Sequence, residues 1–359
     1  MKLGDINVNI LQCLYQAVQD QNKDADALFA SYGLDDLLDS HPDRRISIQR
    51  YMRLGEQAAQ LTGRKDIGLM IGERCRSHHF GLMGLAAQTA PTLGKGLATA
   101  IQFERLYSTN SRGHSRVIKE KDRTGFCFYS ISPYNRFNFF VVDAVIGGWM
   151  SLLKEWRGLS YSDLQRLGAE VEIEFQRPSY AKAYQRWQIP VRFSAEGNIL
   201  WLPNTLCELA SVCSNPVTYR QLKHLCQQQL ENILRGKTLA DQVREAIAMQ
   251  LSGKTPSLEA IAGFFNQEPW TLRRKLEKEN TSFAELLDST RKELGTRYIQ
   301  DTQLSIGEVA WLLGFSSSPA FQRAFKRWHQ QAPGQFRAKQ ENKGKELGKI
   351  TREVERYVT

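Results

Sequence analysis

Two short segments in the C-terminal third of the chain each combine arginine with other side chains that can contact nucleic acid. The sets are Trp270, Arg273 and Arg274 in the first segment, and Ser318, Gln322 and Arg323 in the second. Guanidinium and amide groups can donate hydrogen bonds to base edges in the major groove, and guanidinium groups also bind phosphate. The residue types therefore predict contacts with double-stranded DNA.

Each set lies in the second half of an internal repeat. Ser257-Leu-Glu-Ala-Ile-Ala-Gly-Phe-Phe matches Ser305-Ile-Gly-Glu-Val-Ala-Trp-Leu-Leu, and each copy opens with a serine suited to cap a helix. A short turn and a second helix follow each copy. The small side chains of Ala262 and Ala310 would let the two helices of each copy cross closely. The repeat predicts two helix-turn-helix units.

The second helix of each unit combines a core face with a polar face. Leu272 and Leu276 in one unit, like Phe321 and Phe325 in the other, lie four residues apart and share one side of a helix. The polar residues named above lie on the opposite side. We therefore expect each second helix to be the reading helix that enters a major groove.

A helical pattern from Ser282 to Asp301 separates the two units. Its roughly twenty residues, at about 1.5 Å each, would form a rod of about 30 Å if the helix stays straight at Gly295. One turn of B-DNA is about 34 Å long. The spacing predicts that one chain places its two reading helices in successive major grooves on one face of the DNA.

The segment Ser305–Arg337 resembles the C-terminal signature of the AraC/XylS transcription regulators. The matching residues are Leu313-Gly-Phe315, then Phe321-Gln-Arg-Ala-Phe-Lys-Arg327, then Pro333-Gly-Gln-Phe-Arg337. The family usually has glycine after the last helix, where this chain has Gln330, so a residue with a Cβ must take that turn. The resemblance implies DNA contacts at Trp270, Thr271, Arg273, Arg274, Ser318, Gln322 and Arg323, phosphate contacts at Lys326 and Arg327, and a core position at Trp328.

Upstream motifs resemble the arabinose-binding-type N-terminal domain of the OruR-like branch of that family. They are Phe80-Gly-Leu-Met-Gly, Pro91-Thr-Leu-Gly, Glu170–Phe175 with Arg177-Pro178, and Arg192-Phe193. This resemblance implies a domain that senses a small molecule, mediates dimerisation, or does both. A homodimer and contact with RNA polymerase are the protein partners expected of such a regulator.

Helical and strand patterns alternate over the first two-thirds of the chain, and helical patterns dominate afterwards. They include helices over Ile48–Leu61 and Phe139–Trp156, a strand over Val171–Phe175 and a helix that starts at Pro178. We therefore predict an α+β sensor domain followed by an all-α domain with two helix-turn-helix units. The boundaries are 1–232 for the sensor, 233–256 for the junction and first C-terminal helix, 257–337 for the DNA-binding domain and 338–359 for a charged tail.

Several arginine and tyrosine residues lie close in sequence to aromatic strand residues of the predicted sensor. Arginine beside aromatic side chains could hold a carboxylate in an apolar pocket. The effector would then be a small carboxylate, an amino acid or a fatty acid. In the alternative, these arginines are solvated or ion-paired and the aromatic residues form core. The candidates are Arg105, Tyr107, Arg112, Tyr134 and Arg136.

Composition adds little to the DNA-binding interpretation. The 359 residues carry a formal net charge of +10, but residues 255–337 contain eleven Lys or Arg against nine Asp or Glu, an excess of two. The six cysteines form no CxxC pair and no cluster with histidine at metal spacing, and the segment before Ile10 does not resemble a signal peptide. We expect a cytoplasmic, nucleoid-associated protein with no membrane span, metal or cofactor.

Two other functions stay open from the sequence alone. The chain could be an enzyme fused to DNA-binding modules, but it contains no GxSxG elbow, no HExxH and no four-cysteine zinc set. Its helix-turn-helix units could instead dock another protein. We predict no enzymatic activity and favour sequence-specific binding of promoter DNA under the control of a small effector.

Overall fold

The computed structural model describes residues 5–35, 44–109, 114–130, 134, 136–234, 238–251, 253–301 and 304–339. The chain divides into two compact units, Lys2–Gly236 and Lys237–Thr359. The predicted order, a mixed α and β domain followed by an all-helical domain, is confirmed.

The first unit combines α-helices with two small β-sheets. Within the described residues, its α-helices are α1 (Leu11–Gln19), α2 (Ala25–Ala30), α3 (Ile48–Thr62), α4 (Ile67–Arg74), α5 (Gly81–Gln88), α6 (Leu93–Gln102), α7 (Phe139–Arg157), α8 (Tyr161–Arg166), α9 (Asn204–Cys207) and α10 (Pro216–Leu234). Short 3-10 helices cover Val8–Ile10, Ser77–Phe80, Glu104–Leu106 and Ala181–Trp187.

The strands form one antiparallel and one mixed sheet. They are β1 (Asp5–Asn7), β2 (Arg45–Ser47), β3 (Ser108–Thr109), β4 (Arg116–Lys119), β5 (Arg123–Phe128), β6 (Glu170–Ile173), β7 (Val191–Phe193) and β8 (Asn198–Pro203). The sheet orders are β2-β1-β3 and β4-β5-β8-β6-β7, and only the β6–β7 pair among them is parallel. Leu200 of β8 pairs with Phe126 on one side and Val171 on the other, and all three are buried, so they form one row of the core.

Helix α7 runs through the core of the first unit, with Trp149 and Trp156 among its buried side chains. Helix α4 approaches it closely because glycines meet at the contact. A Cβ added at Gly72 would lie only 2.8 Å from the Gly147 Cα. A larger residue at position 72 would push the two helices apart in a close-packed core.

The helix expected to begin at Pro178 is instead a 3-10 helix over Ala181–Trp187. Tyr184 and Trp187, three residues apart, are both buried. A 3-10 helix has about three residues per turn, so it places both side chains on the same side. The 3-10 helix thus packs this pair into the core of the first unit.

Asp143 is a fully buried carboxyl group on α7. The Tyr180 hydroxyl donates to it at 2.8 Å, and the Tyr184 hydroxyl donates to its other oxygen. Burial raises the pKa of Asp143 to about 7, against the opposing effect of these two hydrogen bonds. The group is therefore partly protonated near neutral pH.

The second unit is helical throughout its described elements. Its helices are α11 (Leu239–Gln250), α12 (Leu258–Phe264), α13 (Pro269–Lys278), α14 (Phe283–Asp301), α15 (Ile306–Leu312) and α16 (Ser318–His329), and residues 333–339 are also helical. The pairs α12–α13 and α15–α16 lie where the repeat predicts helix-turn-helix units. Helix α14 is the predicted connecting rod.

Candidate DNA-binding surface

The first helix-turn-helix pair has a capped start, a left-handed turn and a buried core. The Ser257 Oγ accepts a hydrogen bond from the Ala260 N–H at 3.2 Å. Asn266 takes a φ of 51° in the turn, which asparagine tolerates better than most residues. Pro269 starts α13, where no N–H is needed. The fully buried side chains are Ile261, Ala262, Leu272 and Leu276.

The second pair repeats this construction. The Ser305 N–H donates to Glu308 Oε2 at 2.7 Å, and the Glu308 N–H donates to Ser305 Oγ at 3.2 Å. Gly314 makes the turn with a φ of 66°. A Cβ there would lie 2.5 Å from the Lys254 carbonyl oxygen, so space and backbone conformation both require glycine. The buried side chains include Val309, Ala310, Phe321 and Phe325.

Arg291 of α14 connects the two pairs. Its guanidinium donates to the carbonyl oxygens of Leu313 at 2.9 Å and Gly314 at 2.8 Å, and to Thr255 Oγ1 at 2.6 Å. It also lies 4.5 Å from the centroid of the Phe315 ring. Burial lowers the pKa of Arg291, but an arginine stays charged at neutral pH. One side chain thus ties the segment before α12 to the turn after α15.

Helix α11 packs within the same unit. The Glu279 carboxylate, at the end of α13, accepts hydrogen bonds from the Leu239 N–H at 3.0 Å and the Ala240 N–H at 2.8 Å. The positive end of the helix dipole favours a carboxylate at this place. Arg244 of α11 pairs with Glu293 of α14 at 2.8 Å. The segment before the first helix-turn-helix pair therefore helps to stabilise the DNA-binding unit.

The predicted reading residues lie on the outer sides of α13 and α16. Trp270 is 65% exposed, so its ring is accessible to a partner. No described residue forms an ion pair with Arg274 or Arg323. Their guanidinium groups are therefore available for a ligand. The exposed members of the set are Trp270, Arg273, Arg274, Gln322 and Arg323, and the half-buried members are Thr271 and Ser318.

The two predicted phosphate contacts have different surroundings. Lys326 is exposed. Arg327 is exposed as well, but its guanidinium pairs with Asp288 of α14 at 2.5 Å. The Trp328 indole N–H donates to the other oxygen of Asp288 at 3.1 Å, and Trp328 is half-buried. Arg327 and Trp328 together therefore position α16 against α14.

Helix α16 ends at Gln330 in the left-handed region, with a φ of 58°. The Gln330 N–H donates to the Lys326 carbonyl oxygen at 2.8 Å. The turn expected after the last helix is present, with glutamine where the family usually has glycine. A residue with a Cβ in this conformation strains the backbone by about 1–2 kcal/mol.

The predicted ligand residues are not brought together at one site among the described residues. Tyr107 lines a cavity of the first unit, and Arg105 is half-buried outside its described lining. The Tyr134 hydroxyl donates to a carboxylate at 2.6 Å. Arg136 is exposed, lies 3.4 Å from another carboxylate and lines a separate groove. Arg112 lies outside the described residues.

Two residues that carry clear structural roles were missed by sequence reasoning. Arg291 looks in the sequence like any polar residue of an amphipathic helix, and its contacts depend on packing between helices. Glu104, which lines the same cavity as Tyr107, adjoins Arg105 and has no motif around it. No local signal could have identified either residue.

Family comparisons agree with this architecture. Residues 23–210 match the N-terminal arabinose-binding domain of AraC transcription regulators, and residues 261–339 match a helix-turn-helix domain family. The first match alone spans more than half of the chain. The chain belongs to the AraC family of transcription regulators. It is a DNA-binding transcription regulator with an arabinose-binding-type N-terminal domain.

Relatives of this AraC-family chain match it over one or both units. The ornithine utilization regulator of Pseudomonas aeruginosa is 25% identical over 334 residues, which is 92% of this chain and 96% of the relative. VirS of Mycobacterium tuberculosis is 35% identical over 82 residues, 23% of this chain and 24% of VirS. A crystal structure of the regulator CdpR from Pseudomonas aeruginosa is 22% identical, covers 80% of this chain and 91% of that one, and gives a TM-score of 0.40.

In the parts of the chain that the structure describes, no helix is long and apolar enough to cross a membrane.

Proposed function

We propose that this AraC-family regulator reads promoter DNA with α13 and α16. The observation that supports this proposal is the matched construction of the two helices. Each buries an apolar side and exposes a guanidinium group, at Arg274 or Arg323, that no described residue pairs with. The reading set is Trp270, Thr271, Arg273, Arg274, Ser318, Gln322 and Arg323, with Lys326 and Arg327 at phosphates.

The length of α14 suits contact with successive major grooves. Its nineteen residues correspond to about 28 Å of helix, close to one turn of B-DNA at about 34 Å. The chain then needs no second copy to contact two grooves. A homodimer would add affinity by bringing further reading helices to the same DNA.

We further propose that a small effector bound in the first unit controls DNA binding, and that the protein acts at promoters, on the nucleoid, in contact with RNA polymerase. The arabinose-binding-type family match supports the effector. The names of the relatives, which are transcription regulators, support the role at promoters.

A binding experiment on selected DNA tests the reading helices. The full-length chain would first select a site from a random duplex library, and binding to that site would then be titrated. Arg274→Ala and Arg323→Ala should each weaken binding by about 1–3 kcal/mol and relax base preference in one half of the site. Arg177→Ala removes an exposed arginine of the first unit and should bind like the parent. Parental binding by both reading-helix variants would show that the helices are wrongly assigned.

Salt dependence separates DNA binding from protein docking. Each phosphate contact that a basic side chain makes should lower the logarithm of the binding constant by about 0.9 per tenfold rise in salt. Lys326→Ala should reduce that slope by about one contact without changing base preference. A chain that selects no DNA sequence, or whose binding does not respond to salt, would instead fit a protein-docking role.

A further inference from the structure

A cavity within the first unit has an aromatic wall. The rings of Phe80 and Tyr107 lie 5.1 Å apart at 72°, and those of Phe128 and Trp149 lie 6.4 Å apart at 88°. All four line the cavity, together with Tyr51. Aromatic faces carry the negative part of the ring quadrupole and attract cations, most strongly where water is excluded. The wall therefore suits a cationic ligand.

Glu104 adds a carboxyl group to this wall. Its side chain is buried, and one of its oxygens accepts a hydrogen bond from the Ser115 N–H at 3.1 Å. Glu104 and Tyr107 both line the cavity. Burial raises the pKa of Glu104, and burial together with the charge of Glu104 raises the pKa of Tyr107. A buried carboxylate is stabilised when an opposite charge approaches it.

The basic residue of the neighbouring strand is already engaged. Arg45 of β2 pairs with Asp5 at 2.6 Å and donates to the Leu106 carbonyl oxygen at 2.8 Å. Among the described residues that line the cavity, none is arginine or lysine. The described wall thus offers a carboxyl group and aromatic faces to a ligand, and the carboxyl group gains a partner for its ionised form when a cation binds.

The size and surface of the cavity restrict the ligand further. The volume of the cavity that is open to the centres of water molecules is about 70 Å³. This volume holds roughly five to seven water molecules at about 10–15 Å³ each. Most of its wall is apolar. A sugar would leave several hydroxyl groups without partners on such a wall. A fatty acid would place a second carboxylate near Glu104, and the two like charges would repel each other.

We propose that this cavity binds a small organic ammonium ion, with Glu104 as the counter-ion and the aromatic rings around its alkyl part. Of the effector classes expected from the sequence, amino acids carry an ammonium group, but the described lining has no basic residue for their carboxylate, so an amine without a carboxylate fits this cavity better. The inference deepens the proposed control by an effector, and it rests on that function in treating the first unit as the sensor.

Calorimetric titration of the full-length protein with butylammonium chloride tests the ligand class. Butanoate and butan-1-ol, at matched ionic strength, reverse or remove the charge on a similar alkyl chain, and both should bind more weakly. Glu104→Gln keeps an acceptor for the Ser115 N–H and should weaken butylammonium binding about tenfold, with little effect on butan-1-ol. Glu196→Gln makes the same change at an exposed position of the unit and should bind like the parent.

A second variant tests the aromatic wall. Phe128→Leu keeps an apolar side chain but removes a ring, and should weaken butylammonium binding about three- to fivefold while butan-1-ol binding stays near the parental value. It also provides a test if Glu104→Gln fails to fold, which its thermal midpoint would reveal.

Three results would overturn the ammonium site. They are no butylammonium binding by the parent, equal or tighter binding of butanoate, and parental butylammonium affinity in folded Glu104→Gln and Phe128→Leu. Titration of the selected DNA on the same samples separates the two proposals. Retained DNA binding without amine binding contradicts the ligand class alone, whereas failure to bind DNA contradicts the proposed function.

Discussion

Gln330 and Asp143 each occupy an unfavourable environment, Gln330 because of its backbone conformation and Asp143 because of its burial. Gln330 has a Cβ but takes a left-handed backbone conformation. Asp143 is ionisable but has no exposed surface. Because each unfavourable interaction is confined to one residue, a single substitution should remove it, and the change in stability should measure its free-energy cost.

Gln330→Gly should stabilise the end of α16 by about 0.5–1 kcal/mol. Glycine removes left-handed strain of about 1–2 kcal/mol, but the greater freedom of the unfolded chain offsets about 0.4–1 kcal/mol of the gain. Hydrogen exchange of the α16 amides in the full-length protein measures the difference. Gln331→Gly is the matched control, since its backbone is not left-handed, and it should give faster exchange. Faster exchange in Gln330→Gly as well would contradict the strain.

Asp143→Asn should change the pH dependence of stability. The pKa of Asp143 is about 7 in the folded state, above its ordinary value of 3.8, so the folded state binds this proton more tightly. The associated stability is fully present below about pH 4 and is lost as pH rises through about 7. The variant cannot ionise, so its stability relative to the parent should increase over that interval.

Denaturant unfolding of the full-length protein at a series of pH values checks this trend. Asp122→Asn removes a carboxylate at an exposed turn position and serves as the control, which should follow the parent. A stability difference between Asp143→Asn and the parent that stays constant with pH would contradict the raised pKa.

At the scale of the elements, Arg291 joins the two helix-turn-helix pairs through three side-chain hydrogen bonds. Arg291→Leu removes three hydrogen bonds and leaves partly buried carbonyl oxygens at Leu313 and Gly314 without this donor. Hydrogen bonds to a charged group contribute about 1.5–3 kcal/mol. We therefore expect the second unit to lose about 2–4 kcal/mol of stability.

Hydrogen exchange near residues 253–255 and 312–315 should report this loss first. Lys292→Leu changes the adjacent, exposed residue of α14 and should leave exchange there almost unchanged. Equal effects of the two substitutions would mean that Arg291 acts only as a general helix residue.

At the scale of the whole molecule, the division into two units predicts a separable DNA-binding fragment. A fragment of residues 237–359 keeps α11, whereas a fragment of residues 251–359 loses the contacts that α11 makes with Glu279 and Glu293. The longer fragment should fold cooperatively and bind the selected DNA. The shorter fragment should melt without a cooperative transition.

Thermal melts followed by circular dichroism, with DNA titration of each fragment, check the prediction. Weaker binding by a folded longer fragment than by the full-length chain would show that the first unit adds affinity, as the proposed homodimer would. Cooperative melting of both fragments at the same temperature would show that α11 does not stabilise the unit.

The sequence by itself determined the two helix-turn-helix pairs, the rod between them and the turn at Gln330. These features depend on signals between neighbouring residues, namely serine caps, apolar residues four apart and a position usually occupied by glycine. The α+β character of the first unit was also predictable, because helices and strands differ in the period of their apolar residues.

Only the tertiary structure decided which side chains meet. Arg291 and Thr255 are 36 positions apart. Glu104 lines one cavity with aromatic residues that come from separate segments of the chain. The residues expected to hold a carboxylate are close in sequence, yet Tyr107 lines the cavity and Arg136 lines a separate groove. Burial and long-range packing determine such sites, and neither follows from the types of neighbouring residues.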